Sequence, residues 1–502
     1  MGNMRPLIER SRSLGDLASL LSLESVGDYS EVKFSGLTAD SVAIQPGDLF
    51  IALPGAHRHG AQFIDQALAA GAVAVLTDLA GAQLNANRLP QIVVESTRNK
   101  VGEIASWFYG APASGMTAVG ITGTNGKTTT SSLLQQLWKL ADRHVGYIGT
   151  TGIEIGADVM PGKFTTPEAS ELQQILGAMA EQHLTHMVME VSSHALSQKR
   201  MVGTHFSYAA FTNLTQDHLD FHGTMENYFQ AKRLLFTVEY ADQALINIDD
   251  PYGQRLVDLA EIPVTTISRS NKSANWHYIE SEREESGYRV AIRGVGGILM
   301  ESFLPLIGEH NLDNALLAIA LAVETGVDPL FIAQVLPQLR GVRGRLEPIS
   351  LGQSFMALVD FAHTPDAVER TLATLRASTA GKIIGVLGCG GDRDRSKRPI
   401  MGRALHSGAD ISIFTSDNPR SEDPQAIVAE MVGDIELGDQ SFVEVDRRAA
   451  IALAVTMAEP GDCLVLLGKG HELGQEISGV KYPFDDATEL ARAIEELAGG
   501  SQ

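Results

Sequence analysis

The stretch Gly120-Ile121-Thr122-Gly123-Thr124-Asn125-Gly126-Lys127-Thr128-Thr129-Thr130 decides how the rest of the chain reads. An apolar run, Met116 to Val119, precedes it, and Ser131-Ser132-Leu133-Leu134-Gln135-Gln136-Leu137-Trp138 behind it has the pattern of a helix. A strand, a glycine-rich turn and Lys-Thr at a helix start make a phosphate cradle. Glycines let backbone N–H groups converge, the helix N-terminus favours an anion, Lys127 reaches the outer phosphates, and a Thr hydroxyl can hold Mg2+. The strict G-x-x-x-x-G-K-[ST] pattern would put its first glycine at Ile121, which Gly120 and Gly123 flank instead. A chance Gly-Lys-Thr turn is the competing reading, and the strand and helix on either side weigh against it. The expectation is a nucleoside triphosphate site at residues 120–130 of an α/β protein.

A chain of 502 residues is too long for one core and implies about three domains. The formal net charge is −22, which speaks against a nucleic-acid partner, since phosphate backbones demand a basic face. Anionic substrates would need locally basic sites in this acidic field, drawing attention to Lys127, Arg200, Arg343, Arg345, Arg393 and Arg420. Two cysteines, Cys389 and Cys463, exclude a disulfide framework and a cysteine-based zinc site. No apolar run approaches the ~18 residues of a membrane span. Met1–Leu23 lacks the apolar core of a signal peptide, so the expectation is a cytoplasmic protein without membrane insertion, read as a monomer.

Three segments follow from the patterning: 1–112, 113–343 and 344–502. The first alternates strand signals (Gly47–Leu53, Ala72–Leu76) with a helical Phe63–Ala70, giving a small N-terminal α/β domain. Its polar groups Asp40-Ser41 and His57-Arg58 read as turn chemistry by default. The second alternates strand and helix after the phosphate loop and implies a central, mostly parallel ATPase-like sheet. His186-Met187-Val188-Met189-Glu190 ends in a carboxylate where parallel sheets bind ligands, so Glu190 is placed to ligate Mg2+. The run Asn213 to Gly223 holds Asp217, His218, Asp220 and His222, compatible with either a metal site or a solvated loop. Lys232, on a helical pattern, reads by default as a snorkelling side chain. Asn311 is a plausible cap for the helix that follows it. Gln334 to Glu347, with Arg340, Arg343 and Arg345, reads as a hinge or linker into a Rossmann-like C-terminal domain, whose strands run into Cys389–Arg395, Thr415–Arg420 and Gly468–Glu472.

Together these residues resemble the Mur ligases of bacterial cell-wall synthesis. The resemblance rests on Gly123-Thr-Asn-Gly-Lys-Thr128, Glu190-Val-Ser-Ser-His194, Asn213-Leu-Thr-x-Asp217-His218-Leu-Asp220-x-His222, Gly308-x-His310-Asn311-x-x-Asn314 and Asp360-Phe-Ala-His363-Thr-Pro-Asp366. These motifs stand in the family's order and span nearly the whole chain. Asp417-Asn418-Pro419-Arg420 matches the family variant associated with meso-diaminopimelate rather than L-lysine. A guanidinium suits the second carboxylate of diaminopimelate and would repel the ammonium of lysine.

The resemblance implies roles residue by residue. Gly123, Thr124, Asn125, Gly126, Lys127, Thr128 and Thr129 would bind ATP, with Asn311, Arg345 and Asp360 positioning the nucleotide across an interdomain gap. Ser41, Ala56, His57, Arg58, Thr165, Thr166, Ser192, Gln198 and Arg200 would hold the UDP-linked substrate. Arg393, Asp417, Asn418, Pro419, Arg420, Gly468 and Glu472 would hold diaminopimelate. Thr128, Glu190, His218 and Lys232, the last as a CO2-derived carbamate, would serve the metal, with Lys127, Lys232 and His218 catalytic. The implied activity is ATP-dependent amide ligation. Meso-diaminopimelate would be added to UDP-N-acetylmuramoyl-L-alanyl-D-glutamate through an acyl phosphate, with Mg2+ as cofactor. An L-lysine-adding ligase and a non-catalytic ATP-binding scaffold are the alternatives; Arg420 weighs against the first, and Lys127, Glu190 and Lys232 against the second.

Overall fold

The computed structural model describes residues 5–23, 27–55, 58–86, 88–162, 164–284 and 287–499. The chain divides into two compact units, Met1–Leu304 with Leu312–Leu339, and Pro305–Asn311 with Arg340–Gln502. Residue 112, where the first segment was expected to end, lies inside the first unit. That unit nonetheless carries two separate large sheets.

The smaller of the two is a parallel sheet in the order β1 (Gly36–Thr38), β2 (Asp48–Ile51), β3 (Ala74–Thr77), β4 (Gln91–Val93). Helix Thr97–Tyr109 closes one face, packing Val101, Ile104, Ala105 and Phe108 against Leu49, Ile51, Leu76 and Ile92. It stops at Gly110, whose φ of 79° is the left-handed turn that ends helices.

The larger sheet follows. Its strands are β5 (Thr117–Thr122), β6 (Val145–Gly149), β7 (Gly152–Ile155), β8 (Asp158–Met160), β9 (His186–Glu190), β10 (Phe206–Phe211), β11 (Ala241–Asn247), β12 (Val264–Ser268), β13 (Trp276–Glu284), β14 (Gly287–Arg293) and β15 (Leu299–Leu304). Their order is β8-β7-β6-β9-β5-β10-β11-β12-β13-β14-β15. From β6 to β13 neighbours run parallel, while both ends continue antiparallel. Every residue of β6 and of β9 is buried, which is why these strands read as continuous apolar runs rather than alternating ones. Because β5 lies between β9 and β10, the loop leaving β5 emerges between the carboxyl ends of both neighbours. This is where open α/β sheets bind ligands.

The second unit has its own sheet, with strands β16 (Glu347–Pro348), β17 (Met356–Asp360), β18 (Ile383–Cys389), β19 (Ile411–Ser416), β20 (Ser441–Val443) and β21 (Cys463–Leu467) in the order β16-β17-β21-β18-β19-β20. All but β16 run parallel. Side chains alternate between two cores. Leu358, Ile383, Leu387, Val465 and Leu467 face one, and Ala357, Val359, Ile384, Val386, Leu464 and Leu466 the other. A hairpin, β22 (Gly474–Ile477) and β23 (Val480–Pro483), stands beside it.

Two features depart from the sequence reading. The meander β13–β15 was not anticipated, because its charged residues such as Glu280, Glu282 and Arg283 disguise a strand whose outer half is exposed. Asn311 is not a helix cap. The helix begins one residue earlier, at His310, and the Asn311 amide donates to Ile307 O at 2.7 Å, whereas a cap accepts from the first turn. Among the described residues no helix is long and apolar enough to cross a membrane.

Candidate active site

The loop leaving β5 can turn only because two positions lack a side chain. Gly123 has φ of 151° and Gly126 of 86°. A Cβ on Gly123 would lie 1.8 Å from Thr212 Oγ1, and one on Gly126 2.2 Å from Asn314 Oδ1. The segment following β10 clasps the loop from outside. Thr124 N donates to Asn213 O (2.8 Å), Asn125 N to Asn213 Oδ1 (3.0 Å), and Thr212 Oγ1 to Asn125 O (2.6 Å). Thr124 Oγ1 donates to Thr215 O at 3.2 Å. Thr212, Asn213 and Thr215 therefore shape the cradle, a role that no local pattern announced because it depends on β10 being the neighbour of β5.

Helix Lys127–Leu140 starts at the loop's end. Thr128 Oγ1 donates to Glu190 Oε2 at 2.9 Å. Glu190 is fully buried at the end of β9 and also accepts from Tyr147 Oη (2.8 Å), Thr150 N (2.9 Å) and Thr150 Oγ1 (3.1 Å). Both carboxylate oxygens are thus engaged, and Tyr147 and Thr150 join the site as residues that sequence reasoning missed.

Lysines crowd the same turn. Lys127 Nζ donates to Gly123 O and Thr124 O, each at 2.8 Å, and Lys232 Nζ donates to the same Gly123 O at 2.8 Å. Lys232 is 1 % exposed, and its Nζ lies 4.7 Å from the Tyr228 ring centroid. Burial first, and the charge of Lys127 second, push the Lys232 pKa well below that of an ordinary lysine. The expected solvent-facing lysine is instead a buried amine biased towards its neutral form. Tyr228 Oη lies 3.1 Å from Thr124 Oγ1, linking the lysine's helix to the loop.

His194, His218 and His222 gather beside this centre. The rings of His194 and His218 are 4.8 Å apart, and those of His194 and His222 5.5 Å. Burial lowers His218 and His222 to about 4, so both imidazoles are neutral at pH 7. His218 stands in the left-handed region at φ of 53°, with Nε2 3.4 Å from Asp217 Oδ2. Among the described residues, no group of three or more His, Cys, Asp and Glu side chains is arranged to hold a metal by itself.

A polar cluster continues from Glu190. Thr166 Oγ1 donates to Glu190 O (2.8 Å) and accepts from Ser192 N (3.1 Å). Thr165 Oγ1 lies 3.2 Å from Thr150 Oγ1. Arg200 donates to Thr166 O (2.9 Å) and Gln198 Oε1 (2.7 Å), and pairs with Glu168 at 3.1 Å. The fold therefore unites Thr165, Thr166, Ser192, Gln198 and Arg200 with the phosphate loop. Ser41, whose hydroxyl donates to Gln66, and the exposed Arg58 belong to the smaller sheet; among the described residues no hydrogen bond joins them to this cluster. Ala56 and His57 lie outside the described residues.

The second unit builds a different site. Asp417–Arg420 follows β19, Gly468–Glu472 follows β21, and Gly390–Arg393 follows β18. Arg447, wholly buried, ties two of these strand ends together by donating to Ser416 O (3.4 Å) and Leu467 O (3.0 Å) while pairing with Asp486 at 2.6 Å. Lys469, also wholly buried, contacts Asn418 Oδ1 (3.3 Å), Glu472 Oε2 (3.2 Å) and Gly474 O (2.8 Å). Asn418 Nδ2 donates to Glu472 Oε2 as well, at 2.7 Å. Burial opposes the charge on Glu472, yet Lys469 and Asn418 hold its carboxyl below the ordinary range. Burial raises the Asp417 carboxyl, with Lys469 and Arg447 pulling the other way. Arg420, at φ of 51°, donates Nη1 to Gly391 O (2.6 Å). A Cβ on Gly390 would touch Arg420 Nη1 at 3.0 Å and Arg393 Cγ at 3.7 Å, so both arginines converge over a bare backbone. Pro419 presents its carbonyl to Gly391, and Gly468 (φ of 106°) passes close to Asp417 Oδ2.

Asp360 and Arg345 also sit in this unit. Asp360 accepts from Leu346 N (2.8 Å) and Ala362 N (2.9 Å), and the Arg345 guanidinium stacks 4.7 Å from the Phe361 ring centroid. The Asp360 carboxylate therefore shapes its own loop in addition to any ligand contact.

Comparisons with known proteins agree in kind. Family models match over three stretches: "Mur ligase family, catalytic domain" at 33–109, "Mur ligase middle domain" at 121–322, and "Mur ligase, glutamate ligase domain" at 344–470. The chain is 44% identical to a UDP-N-acetylmuramoyl-L-alanyl-D-glutamate--2,6-diaminopimelate ligase of Streptomyces coelicolor, covering 99% of each. It is 39% identical to the ligase of that name from Aquifex aeolicus, over 96% of this chain and 97% of the other. A solved structure of a ligase of the same name superposes with a TM-score of 0.68 at 33% identity, covering 97% of this chain and 99% of that one.

Proposed function

The chain belongs to the Mur ligase family and is an ATP-dependent ligase of peptidoglycan synthesis, and from that premise we propose how its residues divide the work. The substrate pair is UDP-N-acetylmuramoyl-L-alanyl-D-glutamate and 2,6-diaminopimelate, as in the relatives' names, the latter taken as its meso isomer. One observation carries the choice of amino acid. The second unit gathers Arg420, Asp417 and Glu472 on the loops after β19 and β21: Arg420 donates to Gly391 O and pairs with Glu476 at 3.6 Å, while Glu472 Oε1 accepts no hydrogen bond among the described residues. A guanidinium and two carboxylates on neighbouring strand-end loops match a zwitterionic centre, carboxylate on Arg420 and ammonium between Asp417 and Glu472. The side chain of lysine ends in an ammonium only. Asn418, Pro419, Gly468 and Arg393 complete this site.

In the first unit, Lys127 and the N–H groups of residues 126–129 hold the ATP phosphates, and Gly123, Thr124 and Asn125 form the turn around them. Thr165, Thr166, Ser192, Gln198 and Arg200 hold the muramoyl dipeptide, and Ser41, Arg58 and the 56–57 segment its uridine nucleotide. Asn311, Arg345 and Asp360 contribute further nucleotide contacts. The glutamyl carboxylate attacks the γ-phosphate and expels ADP; the amine of diaminopimelate then attacks the acyl carbon and expels phosphate. Phosphorylation supplies the leaving group that a carboxylate lacks. Lys127 neutralises charge as the two anions meet.

The donors at Thr128 and Glu190 fit Mg2+, which takes hard oxygens and keeps waters and phosphate oxygens for its other positions. Bound there it would neutralise phosphate charge. Lys232 as an ammonium does not fit, since it duplicates the charge of Lys127 on one carbonyl. As a carbamate it does, because the neutral amine favoured by burial is the form that captures CO2, and the product is an oxygen anion facing Lys127. His218 supports the same region as a neutral imidazole.

The test is chemical trapping. Enzyme, ATP and UDP-muramoyl dipeptide are incubated without amine and quenched with borohydride, which reduces an acyl phosphate to the alcohol. The expected product carries the alcohol at the glutamyl side-chain carbon. ADP release that ignores the dipeptide, with no reduced product, would overturn the mechanism.

A further inference from the structure

Lys469 is a wholly buried cation at the strand ends of the second unit. Its side chain is 0% exposed, so water does not solvate its ammonium. An ammonium has three N–H donors. Here three acceptors meet them: Glu472 Oε2 at 3.2 Å, Asn418 Oδ1 at 3.3 Å and Gly474 O at 2.8 Å. No donor is left for a ligand. Asp417 Oδ1, at 3.6 Å, is a charge neighbour beyond hydrogen-bond range.

The consequences fall on two neighbours. Asn418 Oδ1 accepts from Lys469 and from Glu476 N (3.0 Å), so its amide cannot flip, and Nδ2 must point at Glu472. Glu472 Oε2 then receives two donors, while among the described residues Oε1 receives none. The carboxylate is held by one oxygen and offers the other. The contact to Gly474 O also ties the start of β22 to the same ammonium, and Glu476 O of that strand accepts from Arg420 N at 2.9 Å. One buried cation thus sets the rotamer of Glu472, the amide of Asn418 and the strand that carries the Arg420 backbone.

We propose that Lys469 is a positioning and specificity-determining residue: through Asn418 and Glu472 it aims one carboxylate oxygen at the ammonium of the incoming amino acid. The inference rests on the reading of this site as the amino-acid site. Groups held this way lose little freedom when substrate arrives, so the lysine acts on the affinity for the amino acid rather than on phosphoryl transfer.

The test is a double-mutant cycle in the full-length enzyme, with Lys469→Met, Glu472→Gln and the double variant. KM is measured separately for meso-diaminopimelate, ATP and the UDP-muramoyl dipeptide, with thermal melts as a folding check. Lys469→Met is expected to raise KM for diaminopimelate by about 10- to 100-fold and leave the other two within about twofold. The double variant should be no worse than the worse single one, because both remove the same aimed oxygen. Additive effects, or an equal rise in all three KM values, would overturn the proposal. If Lys469→Met does not fold, Lys469→Gln, which keeps a donor at similar reach, is expected to retain part of the diaminopimelate affinity; a Gln variant as fast and tight as wild type would overturn it equally. L-lysine is run in parallel. A wild type that accepts only L-lysine refutes the diaminopimelate reading, and the same cycle in KM for lysine then decides the role of Lys469.

Discussion

The phosphate loop and the proposed amino-acid site solve one problem in opposite ways. Both concentrate charge at the carboxyl ends of buried parallel strands. At the loop, Lys127 and Lys232 converge on a single carbonyl, Gly123 O, and the buried carboxylate of Glu190 accepts from hydroxyls and a backbone N–H. Two basic side chains share that carbonyl, with Lys232 shifted towards its neutral form, at a turn suited to receive anions. At the amino-acid site, Lys469 and Arg447 are already compensated by Glu472, Asp417 and Asp486, and only chosen atoms are left open. The first site is built for charge to arrive; the second balances its own and reads shape and direction. A polyphosphate suits the first and a zwitterion the second.

The largest expected effect breaks the first half of that contrast. Lys232→Ala should lower kcat by about a hundred- to a thousandfold, with partial rescue by added short carboxylates. Spectra of enzyme equilibrated with isotopically labelled bicarbonate should hold a carbamate resonance that the variant lacks. Unchanged turnover would remove Lys232 from the chemistry.

Next comes the donor fork of the second site. Arg420→Lys keeps the charge and loses the planar geometry, so kcat/KM for meso-diaminopimelate should fall by about 10- to 100-fold while KM for ATP holds. An equal fall with every substrate would mean that Arg420 only supports its loop.

Tyr147→Phe sharpens the account of Glu190. The ring stays and one of four bonds to the carboxylate goes, which is worth about 1–2 kcal/mol at a buried charged group. The Mg2+ concentration for half activity should rise by about tenfold with the melting temperature little changed, and Mn2+ binding to the nucleotide-loaded protein should weaken in step.

The smallest effect separates the two ends of β9. His186, at the amino end, is buried against Trp138, and burial, with Arg143, lowers its pKa from 6.5 to about 4. The unfolded chain therefore takes up the proton first, so this contribution to stability is present above pH 6.5 and is lost as the pH falls towards 4. His186→Phe should flatten the dependence of melting temperature on pH in that window and leave kcat at pH 8 unchanged. Altered activity would mean that the amino end of β9 is not the purely structural end.

The two sites also differ in how far the sequence reveals them. The phosphate loop is contiguous, so its glycines, lysine and threonine stand together as printed, and β5 and its helix were legible from flanking periodicity. Glu190 was legible because strand ends bind ligands. Tyr147, Thr150 and the clasp of Thr212, Asn213 and Thr215 were not, since they depend on which strands become neighbours of β5 and β9. Lys232 was misread from pattern alone: a lysine on an amphipathic helix is normally solvated, and only tertiary packing buries it. The amino-acid site is assembled from three strand ends and a hairpin whose polar residues carry no strand signal. Its partners Lys469, Arg447 and Asp486 became visible only once those loops were folded together.

The central claim, that the second unit selects a zwitterionic side chain through Arg420, Asp417 and Glu472, is tested most directly by phosphate release. Enzyme, ATP, Mg2+ and UDP-muramoyl dipeptide are offered meso-diaminopimelate or L-lysine in turn. The account predicts turnover with meso-diaminopimelate and a kcat/KM for L-lysine lower by about a hundredfold or more, the penalty for facing Arg420 with an ammonium. Equal rates with the two amino acids would contradict it.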